Sequence, residues 1–291
     1  MKYLVIKTKK NSFENTINNW FNECGVDVIC IEDVIGTHTG VKKRLAILHF
    51  SKMLRKKGYD KIIVFEDLTF YLWITIFIRS KSFLWLWNTY ESSLINDIRL
   101  NFCKLIGKVY SFDLGDVNKY DLNINTQFFK KQKDFSCENS HAIFFVGVDK
   151  GRASLLNEMY RYCLKNNIKT DINIICNADD EEVLKPLRKH SFMEYGEVLK
   201  RVNSSNAVLD LCKPGQVGMT YRAMEALFFN KKIITNNQSY KSLPFFNDNA
   251  IYIIENNDFT NLVSFLESTN EKYSDDIKEY YMINNWIDRF V

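Results

Sequence analysis

Short apolar runs recur along the chain, and most are followed by a segment whose apolar residues fall three and four positions apart. In the first half, runs at residues 3–6, 26–31, 61–65, 83–87 and 108–112 have the length of strands. They are near-continuous in hydrophobicity, as strands covered on both faces must be. Between them, Trp20-Phe21 marks the inner face of one helix, residues 41–57 carry apolar positions 41, 45, 48, 50, 53 and 54, and residues 92–106 read as a third helix. Gly58 stands where such a helix would stop. From residue 142 the alternation resumes, with strands at 142–147, 172–176, 207–211, 232–235 and 251–254. Helices are expected at 153–166, 181–189, 195–202, 220–229, 259–266 and 274–290. Strands alternating with helices over such a length predict an α/β protein with mainly parallel sheets.

A chain of 291 residues has room for two such domains. Three prolines and eleven glycines leave little for linkers, and the polar stretch 130–140, KKQKDFSCENS, is the best boundary, near residue 135. Seven scattered cysteines without a C-x-x-C pair predict buried thiols in a reducing compartment and no zinc site. The first run is too short for a signal peptide, so a cytoplasmic protein is expected. Residues 68–87 approach the length of a membrane span, but Arg79-Ser80-Lys81 divides them into a buried helix and a buried strand. Charge is uneven. Residues 1–133 carry 21 Lys and Arg against 13 Asp and Glu, and residues 134–291 carry 18 against 22. A basic, aromatic first half could meet an anionic membrane surface peripherally. The acidic second half argues against nucleic acid as a partner.

Parallel sheets bind ligands beyond the carboxyl ends of their strands. In the first half this places His38, in the loop GTHTG, and Glu66-Asp67, after KIIVF, as candidate general bases. The competing readings are a surface histidine and a helix N-cap. Lys7-Thr8-Lys9-Lys10-Asn11 follows the first strand, so the glycine fingerprint of a dehydrogenase is absent there.

In the second half two stretches carry chemistry. IFFVGVDKGR, residues 143–152, is an apolar strand that ends in Gly147 and opens a helix through Lys150, Gly151 and Arg152. Backbone N–H groups, a helix dipole and two cations at one point make a diphosphate cradle. An ordinary strand–turn–helix connection is the alternative. The second stretch, CKPGQVGMT at 212–220, has Gly215 and Gly218 for close backbone approach and leads through Thr220 into a helix bearing Arg222 and Glu225. These two, three apart, share a helix face, where they could hold phosphate and a ribose diol or form a solvent-facing ion pair.

The segments VGVDKGR at 146–152 and GQVGMTYRAMEALFFNKKIITNN at 215–237, with the spacing between them, resemble nucleotide-sugar-dependent glycosyltransferases of the two-Rossmann (GT-B) type. Bacterial enzymes of lipopolysaccharide O-antigen and capsule assembly are the nearest in kind. The resemblance covers about residues 142–256. It implies two Rossmann-like domains with parallel sheets facing across a cleft: an acceptor-binding domain at 1–135, rejoined by the last helix at about 274–291, and a donor domain at 136–273. It also implies that Glu225, in the stretch Glu225-Ala226-Leu227, binds the donor ribose, and that Lys150 and Arg152 hold the diphosphate. The larger retaining families place a second glutamate eight residues earlier, where this chain has Val217, so the resemblance implies neither a retaining nor an inverting course.

The expected activity is therefore transfer of a sugar, from UDP or a similar nucleotide diphosphate, to a hydroxyl of a polysaccharide or lipid-linked oligosaccharide. Positive charge at the developing diphosphate makes a metal unnecessary, no Asp-x-Asp occurs, and no cofactor beyond the donor is expected. The rival reading is a non-catalytic nucleotide-binding or assembly subunit, and a third is a sugar-nucleotide epimerase.

Overall fold

The computed structural model describes residues 1–8, 12–78, 81–132, 140–176, 181–213 and 215–291. Lys9, Lys10 and Asn11 of the first loop, Arg79-Ser80, residues 133–139 of the expected linker and Pro214 lie outside the described residues. The chain divides into two compact units, residues 1–126 with 283–291, and residues 127–282.

The first unit runs β1 (Tyr3–Lys7), α1 (Ser12–Glu23), β2 (Asp27–Cys30), α2 (Ile31–Ile35), α3 (Gly40–Lys57), β3 (Lys61–Phe65), α4 (Leu68–Ile78), β4 (Ser82–Leu86), α5 (Leu94–Ile106), β5 (Lys108–Ser111), α6 (Leu114–Tyr120) and β6 (Asn123–Ile124). Its sheet has the order β2-β1-β3-β4-β5-β6, with every pair parallel. Local chemistry sets the helix ends. Ser93 accepts from Asn96 N at the start of α5, and α3 ends at Gly58, whose φ of 69° is the left-handed cap that glycine adopts without steric cost. One face of the sheet is packed by apolar residues of α3, α4 and α5, among them Ile47, Leu54, Ile74 and Leu100. The other holds an aromatic cluster in which Trp85 meets Trp286 at 5.5 Å and Phe290 at 6.0 Å between ring centroids. Edge-to-face pairs at such distances add to the burial term.

The second unit runs β7 (His141–Val148), α7 (Ala153–Lys165), β8 (Thr170–Ile175), β9 (Arg188–Lys189), α8 (Tyr195–Asn203), β10 (Ser205–Asp210), α9 (Tyr221–Phe228), β11 (Lys232–Thr235), β12 (Ile251–Ile253), α10 (Leu262–Glu267) and α11 (Asp275–Tyr281). Its strand order is β12-β11-β10-β7-β8-β9, again parallel throughout. Each unit is thus a six-stranded, doubly wound parallel sheet among the described residues, the parallel α/β architecture that the alternation predicts and the two Rossmann-like domains that the resemblance implies.

Three expectations are corrected. The run 26–31 is a strand only to Cys30, because Ile31 turns inward as the first residue of α2. The helix expected at 181–189 is a 3-10 turn, Lys185–Leu187, with Pro186 in its first positions, followed by β9. The last helix is two: it breaks at Met282, which is extended (φ −66°, ψ 149°), and α12 (Ile283–Asp288) belongs to the first unit.

The apolar stretch 68–87 is α4 followed by β4, whose five residues are all buried. Among the described residues no helix is long and apolar enough to cross a membrane.

Candidate functional site

In the second sheet the chain moves outward from β7 to β8 and β9, then returns to the other side of β7 as β10. Such a reversal leaves a crevice beyond the carboxyl ends of the two strands that flank it. The segments leaving β7 and β10 are 149–152 and 211–220, the two stretches singled out above.

After β7 the chain turns through Lys150 (φ 49°) and Gly151 (φ 77°), both left-handed, a geometry glycine enters without penalty. Asp149 fixes this turn: its carboxylate accepts from Gly151 N at 3.0 Å and from Arg152 N at 2.9 Å. The N–H groups of Gly151 and Arg152, just ahead of α7, are therefore held by the chain's own carboxylate. Arg152 is buried, and its guanidinium donates to three carbonyls: Asp149 O and Leu211 O, each at 2.8 Å, and Val148 O. It ties the end of β7 to the residue that follows β10. Burial, and next the nearby charge of Arg222, push it down to about 10.

Arg222, in the first turn of α9, donates through Nε and Nη2 to Val146 O, both at 3.1 Å. Its guanidinium lies 4.8 Å from the Phe145 ring, with Arg152 at 5.5 Å from the same ring. This approach requires Gly147, since a Cβ there would fall inside van der Waals distance of Arg222 Nη2. Two guanidinium groups thus converge on Phe145 near the end of β7, where each also finds a carbonyl.

The loop after β10 is fixed from below. Asp210, fully buried, accepts from the Thr220 and Tyr240 hydroxyls. Thr220 in turn caps α9, accepting from Arg222 N at 3.1 Å. Burial, with the Asp210 charge beside it, raises the Tyr240 hydroxyl well above its ordinary value. Asn236 exchanges two hydrogen bonds with the Cys212 backbone, and Asn237 and Ser239 both donate to Val217 O, at 2.7 and 2.8 Å. Gly215 occupies a left-handed position at φ 82°. Gly218 O accepts from Gln216 Nε2 at 3.3 Å.

Glu225 does not form a solvent-facing pair. It is 4% exposed, and burial raises its carboxyl to about 7 although the Arg222 charge and the neighbouring Tyr195 hydroxyl favour the charged form. An acid at that value carries a proton part of the time near neutrality, so it can both accept and donate to a diol.

In the first sheet the reversal lies between β1 and β3. Glu66 follows β3 with φ 63°, and its oxygens accept from Asn88 N at 2.6 Å and Asn88 Nδ2 at 3.0 Å, beyond the end of β4. Asp67 accepts from Phe70 N at 2.8 Å and so caps α4, the competing reading weighed for it. His38 is exposed in the turn between α2 and α3. Beside Glu66's strand, Lys7 is buried in an ion pair with Glu14, its ammonium 5.1 Å from the Trp87 ring. Among the described residues no group of His, Cys, Asp and Glu side chains could hold a metal.

The structure therefore brings Gly147, Gly151, Arg152, Thr220 and Arg222 to the ends of β7 and β10, with Glu225 one turn further along α9. Lys150 is exposed at the same turn. Sequence reasoning missed Asp149, Asp210, Tyr240 and Tyr195. Asp210 left a signal, an acid inside the otherwise apolar run AVLDL; Tyr240 and Tyr195 left none, because their partners are distant in sequence.

No protein-family model matches the chain, and no curated protein sequence matches it. Solved structures do. The Anabaena protein HepE in complex with UDP and glucose is 10% identical, with a TM-score of 0.59 over 99% of this chain and 94% of that one. A glycosyltransferase from Rickettsia africae ESF-5 is 9% identical, with a TM-score of 0.55 over 99% and 96%. The UDP-GlcNAc 2-epimerase of Methanocaldococcus jannaschii is 10% identical, with a TM-score of 0.51 over 99% and 98%. At such identities the likeness is one of fold: two Rossmann-like domains.

Proposed function

We propose that the chain transfers a sugar from a nucleotide-diphosphate sugar, with UDP the expected nucleotide, to a hydroxyl of a saccharide or lipid-linked saccharide of the O-antigen, lipopolysaccharide or capsule kind. The observation that carries this reading is the convergence at the β7/β10 reversal. Two guanidinium groups, the capped N-terminus of α9 and a buried acid one turn on lie beside two glycine turns. Positive charge fixed in place before reaction is what a departing diphosphate needs. The likeness in fold to HepE, whose structure holds UDP and glucose, is consistent with it.

The parts divide as follows. Lys150, exposed beside Gly151, meets the diphosphate. Arg152 and Arg222, each committed to backbone carbonyls, keep the strand ends in register and supply the positive field. Gly215, Gly218 and Thr220 bring backbone close to the sugar and phosphates, and Glu225, with Tyr195, takes the ribose diol. In the reaction the acceptor oxygen bonds to the anomeric carbon as the bond to the diphosphate oxygen breaks, and the hydroxyl proton passes to a base. For an inverting course that base is drawn from His38, Glu66 or Asp67 in the first unit. Charge at the leaving group is met by the chain's own residues, so the reading requires no metal.

One observation favours a second reading, a nucleotide-binding subunit without turnover: Asp67 serves as a helix cap and Glu66 is bound by Asn88. Titration calorimetry tests the donor site first. Lys150→Ala and Glu225→Ala should each weaken binding of nucleotide-diphosphate sugars at least about tenfold, the loss of one charge-assisted contact. Unchanged affinity in both variants would remove the assignment.

A further inference from the structure

Five large apolar residues stand in solvent along the single helix α5: Leu94 at 80% exposure, Ile95 at 61%, Ile98 at 50%, Phe102 at 56% and Leu105 at 70%. Residues 95, 98, 102 and 105 fall on one helix face by their spacing, while Leu100 and Cys103 face the core. A contiguous apolar stripe of this kind on a water-soluble surface marks an interaction site.

A second feature adjoins it. A pocket of about 850 Å³ opens where β3, β4 and β5 begin, at the edge of the sheet opposite Glu66-Asp67. Its wall includes Leu105 and Ile76, the latter 56% exposed, so the pocket continues the stripe. Four cations line it, Arg55, Lys81, Lys104 and Lys108, and among its lining residues there is no acidic side chain. Lys104 pairs with Asp121 at 3.5 Å, and Lys108 donates to Val291 O at 2.7 Å. Near the other end of α5, Asp97 is engaged locally, accepting from Tyr90 and Ser92, and Glu91 is exposed.

We propose that this face of the first unit docks on an anionic phospholipid bilayer. The stripe of α5 enters the interfacial region, and the cationic pocket takes a lipid phosphate with the start of its acyl chains against Leu105 and Ile76. Apolar side chains flanked by Lys and Arg are the two components of interfacial binding, one from buried area and one from charge. The complement is chemical: the pocket is positive and its rim apolar, as a phospholipid is negative at its head and apolar below. The inference does not depend on sugar transfer, since neither α5 nor the pocket includes a residue assigned to the donor site or a candidate base.

Co-sedimentation of the full chain with vesicles tests it, using phosphatidylcholine alone and equal parts phosphatidylcholine and phosphatidylglycerol. The chain should sediment with the mixed vesicles, release with added salt, and bind the neutral ones far more weakly. Phe102→Glu with Leu105→Glu should raise the lipid concentration for half-binding roughly tenfold or more. Arg55→Glu with Lys81→Glu, which leaves the stripe intact, should do the same. All four residues are at the surface, so melting temperatures should stay within a few degrees of wild type. If the stripe variant is unstable, Ile95→Ser with Ile98→Ser reads the same face. Absence of binding to the mixed vesicles, or equal binding by the variants, overturns the proposal. So does sedimentation equilibrium showing a lipid-free dimer that the stripe substitutions dissociate, which would make a second copy the occupant. Nucleotide-sugar binding measured without vesicles reports separately on the donor site.

Discussion

Replacing Glu225 with Gln should make the second unit more stable above neutrality and remove a pH dependence that wild type shows. In the folded chain the carboxyl titrates at about 7, against 4.5 ordinarily, because the Glu225 side chain lies in the core of α9's inner face. As pH rises past about 4.5 the unfolded chain gives up this proton and the folded chain does not. Stability should therefore fall by about 1.4 kcal/mol per pH unit until about pH 7, and level off above it. The whole drop is about 3 kcal/mol, on the order of 1.4 kcal/mol for each unit of the shift. A glutamine stays neutral in both states, so the variant's stability relative to wild type should rise by about 3 kcal/mol between about pH 4.5 and its plateau at about pH 8. Its amide hydrogens need partners that Glu225 lacked, which lowers the plateau by about 1–3 kcal/mol without altering the slope. Scanning calorimetry across this range reads both. Parallel curves for variant and wild type would refute the reasoning and place Glu225 in contact with water. A residue that costs stability near neutrality yet occupies the first turns of α9 is one whose role is ligand contact rather than packing, and the same variant should lose nucleotide affinity.

Other outcomes follow from single contacts. Gly147→Ala should displace the far end of Arg222, which it meets, off Val146 O, lowering stability by about 1–3 kcal/mol and weakening donor binding measurably in calorimetry. Asp67→Ala should cost about 1 kcal/mol in urea unfolding as α4 loses its cap, and Asp67→Asn much less; if Asp67 is also the base, both variants should abolish turnover, Asp67→Asn without the loss of stability. Lys7→Met should destabilise the first unit by about 3–5 kcal/mol, since it leaves the Glu14 charge without the buried partner it now has.

Much of the fold is legible in the sequence, and the reasons are local. KIIVF is a strand with the expected bounds because a short, β-branched run between Gly58 and an acidic pair has no other stable use. Helix α8, with Val198, Leu199 and Val202 buried, follows its spacing. The misreadings arise where a tertiary contact overrides a local pattern. Residues 274–290 have continuous helical spacing, yet Phe129 pairs with Met282 as an isolated bridge, and the helix breaks there.

At the site, spacing placed Arg222 near Gly147 only in the sense of one loop near another. That a guanidinium lies over Phe145, and that Gly147 is glycine to admit it, is a matter of packing between residues 75 apart in sequence. Arg152 looked from the sequence like a side chain reaching for phosphate, but three backbone carbonyls hold it. A charge pattern shows where cations gather and not which acceptors they find. Asp210 and Thr220 could be noticed singly, but that both belong to one network with Tyr240 under the second glycine loop could not be read for the same reason.

Turnover with purified chain, a panel of nucleotide-diphosphate sugars and saccharide acceptors, with nucleotide and sugar both followed by chromatography, bears most directly on the transferase reading. Transfer predicts release of free nucleoside diphosphate in step with a new glycoside, and loss of both in Lys150→Ala. A donor that binds and is recovered intact with every acceptor, or one recovered with its sugar epimerised, would contradict it.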